Sequence, residues 1–412
     1  MKRLVLASLL FLLLSGATAQ SATPTPHVTW RLPLLMKDST PTTYLALVAK
    51  PIPTDAPQLP EASLSASEQA EPAPDNNGQA QPEAAPTEPA PTPDPVRCAN
   101  LVYRNGEQLM LNGEPIQFVG FNAVSLMDPS FPEGDVPRAL DELAGWGANL
   151  IRVFVKPGAD LDRFERLLDL AGPRGLRLVV TLQDYYFYKD QRWFETFYKE
   201  KDLPHIEEVV TRFRNRPEIA IWEVMNEPWC GANGEADDPK CYASMQSWAA
   251  DTTGLIRRLD PCRPISLGLM GQRNLSREKK AYRALQSLST VDIVSIHAQL
   301  KLWYEDDGEL DVARELGKPV LLGEVYKEVY KPDGKLRNSE ALTRRAAKVD
   351  IDVHQALERG IAGYLLWNYV PAQTDSDGQR VVKDYGVYDF LPGDPVGPVI
   401  QALPLRREPV IP

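Results

Sequence analysis

From residue 98 onward, short continuous apolar runs alternate with longer stretches whose apolar positions recur every three or four residues. A run without a polar face reads as a strand buried on both sides, and the longer spacing reads as one face of a helix. The strand candidates are Ile116 to Phe121, Asn149 to Val155, Leu176 to Leu182 and Ile219 to Met225. They continue with Pro264 to Leu269, Val291 to Ile296, Pro319 to Gly323 and Ala362 to Trp367. Helical patterns lie between them at Val136 to Trp146, Leu161 to Ala171, Pro204 to Arg214, Tyr242 to Leu259 and Ser339 to Glu358. This alternation implies parallel pairing and an α/β fold. Eight strand-helix units over residues 98–412 predict one (β/α)8 TIM barrel, a fold of ~250 residues before insertions. A doubly wound open sheet is the alternative for the same pattern. Ahead of the first strand, Leu101 to Leu111 reads as a hairpin with Asn105-Gly106 at its turn, an N-terminal plug for the bottom of the barrel.

Before residue 98 the texture is different. Residues 1–19 read as a signal peptide: Lys2 and Arg3, then apolar Leu4 to Leu14, then small residues at Ala17-Thr18-Ala19. Residues 20–97 hold sixteen of the 37 prolines among Ala, Thr, Glu and Gln. Proline removes backbone donors and little apolar surface is present to bury, so a disordered, partly polyproline linker is expected. Two apolar islands, Val28 to Met36 and Tyr44 to Val48, read as sticky linker residues, with a surface-sorting element as the alternative. Residues 98–412 are left as the barrel domain.

Composition narrows the partners. With 45 Lys+Arg against 56 Asp+Glu the chain is acidic, whereas nucleic-acid and anionic-membrane binders favour basic surfaces. No run beyond the leader approaches the ~20 apolar residues of a membrane span. Four histidines, with no H-E-x-x-H or C-x-x-C spacing, give no metal cluster. The expectation is an extracellular monomer, possible attachment to the cell surface aside, without metal or organic cofactor. Export makes the four cysteines disulfide candidates. Cys230 and Cys241 flank a polar loop after the fourth strand. Cys98 begins the domain and Cys262 precedes the fifth strand at the opposite face, where a plugging hairpin would bring them together; free buried thiols are the alternative.

The functional face of such a barrel lies where its strands end. Ile219 to Met225 runs into Asn226-Glu227-Pro228-Trp229, and Pro319 to Leu322 runs into Gly323-Glu324. A carboxylate ending an apolar strand is costly unless something uses or pairs it. Two that face one cavity are what glycosidic cleavage requires, one to protonate the leaving oxygen and one to attack. Arg152, a cation inside an apolar strand, needs a carboxylate partner, and beside Glu324 it would keep that group ionised.

These residues resemble glycoside hydrolase clan A, and within it family 5, the cellulase and mannanase family, over roughly residues 112–367. Trp222-Glu223-Val224-Met225-Asn226-Glu227-Pro228 is similar to the family's Asn-Glu-Pro signature. The resemblance implies that Glu227 is the acid/base and that Asn226 bonds the 2-hydroxyl of the reacting sugar. Lys318-Pro319-Val320-Leu321-Leu322-Gly323-Glu324 resembles the nucleophile strand, which implies that Glu324 attacks. Arg152 matches the arginine that orients the nucleophile, His297 the sixth-strand histidine and Trp367 the eighth-strand tryptophan beneath the sugar. Asn122, closing the first strand, joins the binding and orienting group, as do the mouth aromatics Trp229 and Trp303.

The chain departs from the family in two places. Gln299 stands where a tyrosine usually bonds the nucleophile, with Tyr304 and Tyr326 near but out of register. Gln183-Asp184-Tyr185 stands where many members carry a histidine. Further loop aromatics, Tyr185 to Tyr188 with Trp193 and Phe194, suit either an extended polysaccharide cleft or loop packing. Asp375-Ser376-Asp377-Gly378, with Asp384, reads as an Asp-Gly turn rather than a calcium loop. The resemblance thus implies a secreted retaining β-glycosidase, an endo-β-1,4-glycanase on mannan or glucan. An inert carbohydrate-binding or adhesion protein on the same scaffold is the rival.

Overall fold

A computed structural model describes residues 98–185, 192–230, 239–271, 279–298, 308–329, 338–383 and 385–406. The leader, the proline-rich segment with its two islands, Gln299, Trp303, Tyr304, Tyr186 to Tyr188 and Asp384 lie outside the described residues.

The chain enters through three short antiparallel strands, β1 (Val102–Asn105), β2 (Gln108–Leu111) and β3 (Glu114–Ile116). Eight parallel strands follow: β4 (Phe118–Asn122), β5 (Leu150–Phe154), β6 (Arg177–Thr181), β7 (Ile219–Glu223), β8 (Ile265–Ser266), β9 (Val294–Ala298), β10 (Val320–Tyr326) and β11 (Gly363–Trp367). Their order is β8-β7-β6-β5-β4-β11-β10-β9, and a parallel bridge from Ser266 to Ile293 closes the ring. The fold is a (β/α)8 barrel. Helices α1 (Val136–Gly145), α2 (Leu161–Ala171), α3 (Tyr198–Phe213), α4 (Pro239–Leu259), α5 (Lys279–Gln286), α6 (Glu309–Glu315), α7 (Ser339–Glu358) and α8 (Val396–Gln401) join the strands or follow them. A single large apolar cluster fills the layer between strands and helices.

The expected hairpin forms, and its period-two pattern decides how it packs. Val102, Leu109 and Leu111 join Leu150, Val179, Ile221, Ile293 and Leu321 in a cluster inside the barrel. Tyr103 and Met110 point the other way, against Cys98 and Cys262. Cys98 bonds Cys262 with Cα atoms 5.6 Å apart, and Cys230 bonds Cys241 at 5.8 Å. The plug is therefore packed from within and stapled from outside.

Two elements differ from the pattern. The fifth barrel strand shrinks from the expected six residues to Ile265–Ser266, because the chain turns at Gly268, whose φ is +74°. A Cβ there would lie 1.9 Å from the Met225 carbonyl oxygen, so only glycine lets this turn approach the fourth strand. Helix α3 starts six residues before Pro204 and carries that proline inside. The ring is exposed, while Tyr198, Asp202, His205 and Ile206 around it are buried and hold the helix to the barrel. Tertiary packing overrides the local cost of the missing N–H.

The two bridges close loops of very different length, 164 and 11 residues. With closure entropy growing as (3/2)RT ln n, removing Cys98–Cys262 by double serine substitution should cost about 2 kcal/mol more than removing Cys230–Cys241. Urea unfolding of the two variants measures this, and equal losses would contradict it.

Candidate active site

Arg152 stands in the middle of β5, fully buried, and every side of its guanidinium is occupied. Nε donates to Glu223 Oε1 at 2.8 Å, and Nη1 to Glu324 Oε1 at 2.6 Å and Asn122 Oδ1 at 2.8 Å. Nη2 donates to Asn226 Oδ1 at 2.7 Å. Asn122 spends its own amide N–H groups on the carbonyls of Gly323 and Leu366, at 2.9 and 3.4 Å. It orients the arginine and ties β4 to β10. Glu223 also accepts from Thr181 Oγ1 at 2.9 Å and Ser266 Oγ at 3.4 Å, so neighbouring strands hold it on both sides.

Glu324 reaches this cluster through a bulge. The register of β10 against both neighbours shifts between Leu322 and Glu324 or Val325. An extra residue in a strand re-aims the side chains that follow it. Gly323 is that residue, and its missing side chain is required: a Cβ would meet His297 Nε2 at 2.9 Å and Ser295 Oγ at 3.2 Å. Beyond the bulge, the Tyr326 hydroxyl donates to Glu324 Oε2 at 2.5 Å. Both oxygens of Glu324 therefore have a donor.

Glu227 follows β7 with φ +49°, a left-handed conformation uncommon for a residue with a Cβ and typical of functional turns. Its N–H donates to the Gly268 carbonyl at 2.9 Å, which ties the turn to the end of β8. His297 Nδ1 lies 2.7 Å from Glu227 Oε1 and 3.6 Å from Glu324 Oε1. One ligand-type atom each from Glu227, His297 and Glu324 falls within 4.8 Å of the other two. A divalent cation among them would stand against the Arg152 guanidinium and would have to displace the His297–Glu227 contact. The donor set suits proton transfer better than metal binding.

Electrostatics follows from this crowding. Burial disfavours charge on Arg152, but Glu223 and Glu324 outweigh it and hold the guanidinium firmly protonated. Burial also opposes charge on His297, yet Glu324 and the bond to Glu227 raise its pKa above the usual value. For Glu324, burial raises the pKa and Glu227 adds to the rise, while His297, Arg152 and Tyr326 oppose it; the balance is upward. The sequence led us to expect Arg152 to keep this group low. Arg152 does pull in that direction, but burial and the Glu227 charge outweigh it.

Arg152, Asn226, Glu227, His297 and Glu324 are brought together, with Asn122 behind them. Trp367 ends β11 half-buried, stacked on Tyr326 with ring centroids 5.7 Å apart. Trp229 is half-buried and packs on the core. Of the loop aromatics, Tyr185, Trp193 and Phe194 are buried in the loop rather than offered to a ligand. Two further residues belong to the cluster beyond the expected site residues. Glu223 lay inside the quoted motif, where a carboxylate in an apolar strand was the available signal. Tyr326, out of register in a regular strand, is brought onto Glu324 by the bulge at Gly323. Asp375 accepts N–H bonds from Asp377 and Gln379, at 3.0 and 2.8 Å, which closes an Asx turn.

Paired carboxylates beside a histidine, at the C-terminal ends of barrel strands, define a barrel glycoside hydrolase. The chain belongs to glycoside hydrolase family 5: residues 109–325 match the family model described as Cellulase (glycosyl hydrolase family 5). A probable mannan endo-1,4-beta-mannosidase C of Aspergillus terreus is 26% identical over 218 residues, covering 45% of this chain and about half, 52%, of that protein. Mannan endo-1,4-beta-mannosidase 1 of Oryza sativa subsp. japonica is 24% identical over 366 residues, covering 68% of this chain and 82% of that one. The endo-1,4-beta-mannanase from Rhizomucor miehei shares the fold, with a TM-score of 0.56 at 16% identity over 73% of this chain and 97% of its own.

Replacing Gly323 by alanine should push the His297 ring off Glu227 while leaving the barrel folded. Glycan hydrolysis should fall ~10²-fold, the usual effect of an ångström-scale misplacement. Activity assays beside thermal melts test this, and wild-type activity in a folded Gly323→Ala variant would contradict the steric reading.

Proposed function

We propose that the protein is a secreted, retaining endo-β-1,4-glycanase that cleaves mannan, with β-1,4-glucan the second substrate to test. The observation that carries the mechanism is the pairing of Glu227 and Glu324, with oxygens within 4.8 Å. Retaining enzymes hold their two carboxyl groups about 5–5.5 Å apart, whereas inverting enzymes need roughly 6.5–9.5 Å to seat a water. The mannan-cleaving names of the relatives support the substrate. A leader-like N-terminus and two disulfides support export.

In this reading Glu324 attacks the anomeric carbon while Glu227 gives its proton to the leaving glycosidic oxygen. The bond from sugar to leaving oxygen breaks as the glycosyl ester forms on Glu324. Glu227 then takes a proton from water, and the resulting nucleophile displaces Glu324. Arg152 and Tyr326 stabilise the Glu324 carboxylate when it is released. His297 holds Glu227 in line and shares its proton. Asn226 bonds the sugar's 2-hydroxyl, and Trp367 forms the floor beneath the ring.

Reducing-end release from mannan, glucan, xylan and galactan tests the activity, and no cleavage of any of them would overturn it. On an aryl glycoside with a good leaving group, Glu227→Ala should form the intermediate and stall, with azide restoring turnover as the β-glycosyl azide. On polysaccharide the same variant should lose ~10²–10⁴-fold. Glu324→Ala should lose the first step, and any azide product should be α. Near-wild-type activity in both variants would show that the carboxylates are misassigned.

A further inference from the structure

The segment after the third barrel strand, where many family members carry a histidine, holds a different device. Asn226 Oδ1 accepts from Arg152 Nη2 at 2.7 Å, and Asn226 Nδ2 donates to Asp184 Oδ1 at 3.3 Å. A guanidinium has only donors and an ionised carboxylate only acceptors, so this amide has a single possible orientation between them. An asparagine without Asp184 would keep one such constraint and lose the other.

Several contacts fix Asp184 in turn. The ends of the third and fourth strands are joined past the barrel by a parallel bridge between Asp184 and Asn226. In it Asn226 N donates to Gln183 O at 2.8 Å, and Tyr185 N to Asn226 O at 3.1 Å. The Gln183 side chain accepts from Asp184 N at 2.9 Å and donates to Asp202 at 2.7 Å. Asp202, buried in α3, is also held by Trp193 Nε1 at 2.7 Å and Trp248 Nε1 at 3.4 Å. The second carboxylate oxygen of Asp184 lies 3.7 Å from the part-exposed Lys156 ammonium. The carboxylate is therefore pinned from its backbone, from Asn226 and from the rim.

We propose that Asp184 is a positioning residue that aims the second N–H of Asn226 at O2 of the reacting sugar, so that the site reads the configuration at C2. This rests on the reading of Asn226 given above. Mannose and glucose differ only at C2, with O2 axial in one and equatorial in the other. A donor held on one line favours one epimer; a donor free to swing favours neither. Lys156 holds the far oxygen of Asp184 and keeps that line fixed.

The two epimers share one 2-deoxy parent, which provides the reference. The 2,4-dinitrophenyl β-mannoside, β-glucoside and 2-deoxy glycoside are assayed with wild type, Asp184→Ala and Asp184→Asn. Wild type should prefer one 2-hydroxy epimer over the other and over the 2-deoxy reference. Asp184→Ala should reduce the kcat/KM ratio between epimers at least ten-fold, and Asp184→Asn, which keeps an acceptor oxygen, should retain most of it. An unchanged ratio in Asp184→Ala, or an equal loss on all three substrates, overturns the positioning role and leaves the reading of Asn226 intact. Absence of any O2 effect in wild type overturns both.

Discussion

A guanidinium buried in the centre of a barrel has to be met on every side, and most of this site follows from meeting it. Arg152 takes its acceptors from β4, from the end and the exit of β7, and from β10. Strands that are not neighbours in the sheet are thereby tied across the interior. Leaving a buried charge of such a pair without its partner costs about 3–5 kcal/mol, a large share of a protein's net stability. The interactions that hold the upper barrel together are the ones that place Glu324, Asn226 and, through His297, Glu227. Stability and site geometry are not separable here.

Much of the fold is legible as period. Continuous apolar runs mark all eight barrel strands, and Leu161 to Ala171 and Ser339 to Glu358 match helices residue for residue. Asp160 and Asn338 accept N–H bonds at these helix starts, so local capping and amphipathic pattern agree. The length of the fifth strand resists such reading because its end is set by a contact, the approach of Gly268 to Met225. The long α3 resists it because burial of Tyr198 and Asp202 outweighs the signal of Pro204.

The site divides in the same way. Glu227, Glu324, Asn226 and His297 are polar residues at or near the ends of apolar strands and Arg152 lies inside one, and that mismatch is visible in one dimension. Tyr326 is not, since its register depends on a bulge that only pairing with β9 and β11 reveals. The parts played by Glu223 and Asp184 depend on which residues lie beside them in the sheet. A sequence shows that a group is out of place more readily than it shows what the group is tied to.

Charge balance governs the site. One arginine serves two buried carboxylates, Glu223 and Glu324, and the second is left with a raised pKa despite a donor on each oxygen. Burial is the largest cause and Glu227 adds to it, so giving Glu324 a fuller share of the Arg152 charge should offset part of the rise. The direct measurement is the acid limb of kcat/KM against pH for wild type and Glu223→Gln, since in the proposed mechanism that limb reports ionisation of Glu324 in the free enzyme. As pH falls, wild-type activity should drop with a midpoint above the ordinary glutamate value of about 4.3. Glu223→Gln frees Arg152 for Glu324 and removes a nearby negative charge, which should move the limb to lower pH. A limb that stays in place or moves upward would show that Glu223 does not weaken the arginine's hold on Glu324.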